Sequence, residues 1–196
     1  MSPAKGPTIS DVKRTCRPSW TSVAIIVPLS AGGCLLGSWW FGLFGGIGVA
    51  LAGFLLGVFL EINLISWRLG VSRNVMLVCS GLNLRGNVEG YANRILTAYC
   101  SLRKRSGTGP RFLLDLNRLA DDLLKGLNAL SHYPAIEGFQ QWQDKFAPLV
   151  DQTVALASRP DQAEEDLGAE ILHIRLQARD YFRSIFEHTT GRQALR

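Results

Sequence analysis

Charge is absent from a long stretch near the start of this chain. Between Arg17 and Glu61, 43 residues pass without an Asp, Glu, Lys, Arg or His. A single membrane helix needs about 20 apolar residues to cross about 30 Å of hydrocarbon. The run is too long for one crossing and long enough for two with a tight turn. Motifs that carry chemistry are missing as well. The four cysteines (Cys16, Cys34, Cys79, Cys100) form no Cys-x-x-Cys pair, so reduced thiols are expected and a structural zinc site is not. There is no phosphate loop, no Gly-x-Ser-x-Gly and no dinucleotide fingerprint. His132 and His188 have no recognisable Ser, Cys or Asp partner. Glu170 and His173 have the Glu-x-x-His spacing of di-iron bundles, but such sites need a second copy and two further carboxylate helices. No catalytic residue, cofactor or metal ligand is therefore expected, and the chain reads as a non-enzyme.

What is present points to an all-α membrane protein. Its expected parts are a basic, disordered tail over 1–18 and a Gly-rich transmembrane helical hairpin over 19–69. A membrane-surface or re-entrant connector over 70–86 and a cytoplasmic bundle of about four helices over 87–191 follow. Basic residues flank the apolar run. Residues 68–112 carry eight cations against Glu89 alone, and residues 1–17 carry four against Asp11. Lys and Arg near membrane ends stay on the cytoplasmic side, so both termini are expected there and Ser38–Trp40 on the outer face. A hairpin that dips in and returns without crossing is the alternative. Trp20, Trp39, Trp40 and Trp67 agree with interfacial levels. From Trp20 to Trp39 a helix rises about 28 Å, one hydrocarbon thickness. Pro28 should kink the first span.

Beyond the connector the pattern is helical. Val88, Tyr91, Ile95, Tyr99 and Leu102 recur at three and four. So do Phe112, Leu116, Leu119, Leu123, Leu127 and Leu130, then Phe139, Trp142, Phe146, Leu149 and Val150. Leu167, Ile171, Ile174, Ala178, Tyr181 and Ile185 form a last stripe at heptad spacing, either an internal bundle face or a helix pairing with another subunit. Asp161 and Glu164 fit a capping box.

Small residues inside the apolar run are the most specific signal. Gly33 and Gly37 stand four apart; so do Gly42, Gly46 and Ala50, and Gly53 and Gly57. Glycines on one helix face let a second helix approach closely, and in lipid that packing is a main source of association. The stripes are expected to pack the hairpin's own helices and neighbouring membrane helices as well. Glu61 is expected either to reach the cytoplasmic interface or to pair with Arg14, Arg17 or Arg68. A glycine-rich hairpin with a carboxylate resembles the ring subunit of rotary ATP synthases. That family keeps its carboxylate near mid-membrane, with a polar cytoplasmic loop and a far shorter chain. Leu29–Cys34 resembles a lipoprotein cleavage box, yet the sequence continues apolar after Cys34, so no cleavage is expected. Arg14, Arg17, Arg68, Arg73, Arg103, Lys104 and Arg105 are expected at lipid headgroups, a nearer partner than nucleic acid.

The functional expectation is a subunit of a bacterial inner-membrane assembly, of secretion or conjugative-transfer type. Its partners would be membrane lipids and other membrane-protein subunits, in a homo-oligomer or hetero-complex. The alternative is a self-assembling, pore-forming or membrane-deforming hairpin of toxin or holin type.

Overall fold

The computed structural model describes residues 6–16, 20–84, 88–105, 109–132, 139–159 and 164–193. Among the described residues the chain is all-helical, with no strand. It divides into two compact units, Met1–Asp11 with Asn74–Arg196 and Val12–Arg73. The helices are α1 (Ile9–Thr15), α2 (Trp20–Leu69), α3 (Arg73–Gly81), α4 (Val88–Arg103), α5 (Pro110–His132), α6 (Phe139–Ser158) and α7 (Glu164–Gln193).

α2 is two helical arms joined at Gly42, whose φ of 71° and ψ of −169° break the helix. That backbone region is essentially open to glycine alone. The arms contain the apolar stretches Ser22–Trp40 and Phe44–Leu69, each long and apolar enough to cross a membrane. The turn therefore lies beyond the expected Ser38–Trp40, which stay helical at the end of the first arm. Gly42, expected on a packing stripe, is the turn itself, with nothing within 4 Å of an added side chain. Its four-residue spacing to Gly46 mimics a helix face, but a left-handed φ outranks periodicity. Pro28 sits inside the first arm, and Gly42 is the position in α2 with non-helical dihedrals, so no break falls at the proline.

The second arm ends by a Schellman motif. Gly70, at φ 64°, donates its N–H to Trp67 O (3.2 Å), and Val71 N–H reaches Ser66 O (3.1 Å). The Ser66 hydroxyl also donates to Val71 O, and Val71 is fully buried. The connector then forms a helix, α3, with Val75, Met76 and Cys79 buried.

In the other unit α4, α5, α7 and α6 form a closed ring of neighbours in that cyclic order. The apolar stripes read from the sequence become its core. Leu116, Leu119, Leu123 and Leu127 of α5 and Ile171, Ile174 and Ala178 of α7 are all buried, and the two helices are neighbours. The heptad stripe of α7 is thus an internal face, with Tyr181 half-buried on it. Phe146 of α6 is fully buried against the rings of Tyr91, Tyr181 and Phe182, at centroid distances of 6.2, 5.8 and 5.5 Å. Asn128 and Ser131 of α5 hold the segment after α3 by accepting from Asn83 N–H (2.8 Å) and donating to Asn83 O (3.1 Å).

The N-terminal segment also departs from expectation, because α1 is a helix within the tail expected to be disordered. Thr8 caps it. Its hydroxyl accepts from Asp11 N–H (3.2 Å), while Asp11 Oδ2 accepts from Thr8 N–H (2.9 Å), a reciprocal capping box. Ile9 N–H donates to Asn93 Oδ1 of α4 at 2.7 Å, fixing the start of α1 on that helix. Asp161 lies outside the described residues.

Candidate functional site

The glycines of α2 line the seam between its two arms. A methyl group built on Gly53 would stand 2.4 Å from Leu29 O, on Gly33 2.7 Å from Val49 O, and on Gly37 2.7 Å from Gly45 O. Gly46 faces Ser38 and Cys34, Gly57 faces Ile26, and Ala50 lies against Gly33. At Gly33, Gly37 and Gly53 the nearest contact is a backbone oxygen, which cannot swing aside, so a side chain there would hold the arms apart. Gly48, by contrast, opens onto free space. Gly33, Gly37, Gly46, Ala50, Gly53 and Gly57 are therefore used within the hairpin. The outer surface carries the bulk: Leu35, Leu36, Phe44, Leu51, Leu55 and Phe59 are exposed.

The same register builds a polar cluster at the open end. Residue 37 faces 46, 33 faces 50 and 26 faces 57, so residue 22 falls opposite 61. Ser22 is buried, and its hydroxyl donates to Glu61 Oε1. Glu61 is half-buried and shares a cavity of about 270 Å³ with Arg14, Thr15, Arg68, Ile25 and Leu64. Burial pushes the Cys16 thiol above its ordinary value, and the Glu61 charge pushes it the same way. Glu61, Arg14 and Arg68 thus line one cavity, but the expected pairing does not form among them within 4.0 Å. Ser22 was not expected there and becomes visible only when the turn is placed at Gly42.

Trp39, Trp40 and Trp67 are 88 %, 76 % and 81 % exposed, so these large rings stand clear of the described residues. The Trp20 side chain and Arg17 lie outside what the structure describes. Arg73 places its guanidinium 5.9 Å from the centre of the Phe59 ring, a cation–π contact. The basic run after α4 is partly engaged within its own unit. Arg103 donates to the Tyr99 hydroxyl (2.9 Å), which donates to Asn117 Oδ1 (2.7 Å). Arg105 donates to Leu156 O and Ala157 O (2.9 and 3.2 Å), capping the last turn of α6. Lys104 is exposed.

A second cavity, of about 410 Å³, lies on the helical unit between α5 and α7. Phe182 rests on Gly126 as its floor, and Asp122, Lys125, Arg179 and Arg183 surround it. Lys125 pairs with Asp121 one turn earlier on α5, and Arg175 of α7 pairs with Asp122 of α5. Arg179 and Arg183 are exposed on this rim and form no ion pair with a described residue. Glu170 and His173, the Glu-x-x-His pair, have other partners. Glu170 pairs with Arg159, His173 meets Gln177, and no metal-ligand cluster occurs among the described residues.

Comparison with protein-family models, curated proteins and solved structures finds no match to this chain.

Proposed function

We propose that this chain is a non-enzymatic integral subunit of a membrane assembly. The α2 hairpin crosses the bilayer twice with both ends cytoplasmic, and the helical unit docks partner proteins on that side. One observation carries the reading: the arms turn their glycines toward each other and their large apolar side chains outward. Only 17 % and 6 % of the two apolar windows are buried within the chain. The core helix of a soluble protein buries most of its apolar surface, whereas a lipid-facing helix leaves it exposed. Arg14, Arg68 and Arg73 flank the hairpin at its open end, where anionic lipid attracts each cation by about 1 kcal/mol. The groove floored by Phe182 and rimmed by Arg179 and Arg183 suits an acidic partner surface. The assembly is of bacterial inner-membrane, secretion or conjugative-transfer type, an assignment that rests on architecture by analogy.

Labelling with a membrane-impermeant maleimide tests the topology. Single cysteines would be placed by Ser10→Cys, Ser38→Cys and Thr190→Cys in a chain with its native cysteines replaced. Ser38→Cys should label only from outside the cell, and the other two only from the cytoplasmic side. Labelling of Ser38→Cys from the cytoplasmic side would mean a re-entrant hairpin and refute the double crossing.

A further inference from the structure

We propose that the open end of the hairpin binds the headgroup of a phospholipid carrying both a phosphate and a primary ammonium, the chemistry of phosphatidylethanolamine. The inference rests on the membrane-hairpin reading and deepens it by naming a lipid class.

Arg14, Arg68 and Glu61 line one cavity of about 270 Å³. Yet Glu61 makes no ion pair within 4.0 Å with a described residue, and neither does Arg14 or Arg68. Two cations and one anion thus share a partly enclosed space without neutralising one another directly. A ligand that bears both signs would satisfy all three. Guanidinium groups present a planar fork of donors that matches phosphate oxygens. The Glu61 carboxylate accepts one hydrogen bond from Ser22 and keeps acceptor capacity for further donors. A primary ammonium supplies three N–H donors, whereas a quaternary ammonium supplies none.

Size and setting agree. The cavity falls just below the span of about 300–1,000 Å³ found for pockets of drug-sized ligands, which suits a headgroup better than a whole ligand. Its remaining wall includes Ile25 and Leu64, one from each arm, so the charged groups sit beside apolar surface that acyl chains could follow. An anionic headgroup with no cation would set its phosphate against Glu61 as well as the arginines, and like charges in a half-buried site repel. A basic patch alone would prefer that anionic lipid; the added carboxylate reverses the preference.

The full chain would be reconstituted into nanodiscs containing equal parts phosphatidylethanolamine, phosphatidylcholine and phosphatidylglycerol. Lipids that stay bound on gentle extraction would then be weighed by native mass spectrometry. Loss of a charged hydrogen bond corresponds to roughly tenfold, so phosphatidylethanolamine should be retained about tenfold over phosphatidylcholine. Retention should fall stepwise through the mono- and dimethylated headgroups as N–H donors disappear. Glu61→Gln should erase that discrimination, and Arg14→Gln with Arg68→Gln should lower retention of every phospholipid. Equal retention of phosphatidylethanolamine and phosphatidylcholine by the wild-type chain would overturn the proposal, as would a preference for phosphatidylglycerol. Alkaline carbonate extraction of the same membranes separates the two levels of the argument. A chain washed free of the bilayer defeats the hairpin reading and the site with it, while an embedded chain without headgroup preference defeats the site alone.

Discussion

Gly48 and Gly53 lie five residues apart in one helical arm and face opposite surroundings. An added methyl at Gly48 meets nothing within 4 Å, while at Gly53 it meets a carbonyl oxygen at 2.4 Å. Overpacking against backbone costs about 1–3 kcal/mol and sometimes more. Gly53→Leu should therefore lower the stability of the hairpin by at least that amount, read as an earlier unfolding midpoint in a titration of the purified protein with SDS. Gly48→Leu should shift the midpoint by no more than about 0.5 kcal/mol, as surface changes usually do. Equal shifts would mean that the seam is not where the arms meet. Gly42→Ala should also destabilise, by about 1–3 kcal/mol, through backbone strain at a φ of 71°.

The residue scale also explains the limits of reading sequence. The four-residue spacing of small residues marks positions on one helix face, since spacing is a property of helix geometry. It cannot tell which glycine has a positive φ, because that depends on where the chain must reverse. Nor could the sequence pair Ser22 with Glu61, a partnership that follows only from the turn.

Cys100 gives a pH test at the same scale. Burial raises its thiol from an ordinary 9.0 to about 11, against a smaller opposing effect of Lys104 and Arg103. Below pH 9 the thiol is protonated in both folded and unfolded chains. Between 9 and 11 the unfolded chain loses the proton first, so folded stability falls across that window and levels off above it. In the native protein at pH 8, Cys100 should resist iodoacetamide until denaturant is added, as peptide mapping of the alkylated chain would reveal. Rapid native labelling would contradict its burial.

At the scale of elements, the helical unit was legible because amphipathic periodicity is strong where helices bury one face. The stripe on α5 maps residue by residue onto its core, from Phe112 to Leu130. Pro110 opens that helix, where its missing N–H costs nothing. α1 was overlooked although Thr8-Ile9-Ser10-Asp11 spells a capping box, because seven residues are too few for a periodic signal. The cyclic order α4, α5, α7, α6 was not legible either, since periodicity shows which face is buried and not against what. That order gives Phe146 its surroundings. Truncating a fully buried aromatic costs about 3–5 kcal/mol. Phe146→Ala should lower the helical unit's stability by that much in thermal unfolding, and a change below about 1 kcal/mol would show that the aromatic cluster is not part of the core.

At the scale of the whole molecule, two units with different surfaces stand in one chain. One turns bulk apolar side chains outward around a glycine seam. The other encloses its apolar stripes and exposes a cationic groove floored by an aromatic ring. That pairing fits a protein anchored in one phase and docking in another. If the groove is the docking face, Arg179→Glu with Arg183→Glu should release the partner while leaving membrane insertion and helicity unchanged, as co-purification and circular dichroism would show. The association should also weaken with salt, because exposed charges are screened within about 10 Å at 0.1 M.

The most direct measurement of the central claim is the intact mass and composition of the native particle, extracted gently from its source membrane. A subunit of a larger machine should emerge in a mixed particle, with other proteins in fixed ratio to this chain. A particle made of this chain alone, or the free monomer, would contradict the docking account; a homo-oligomer that also renders vesicles leaky would identify a pore former instead.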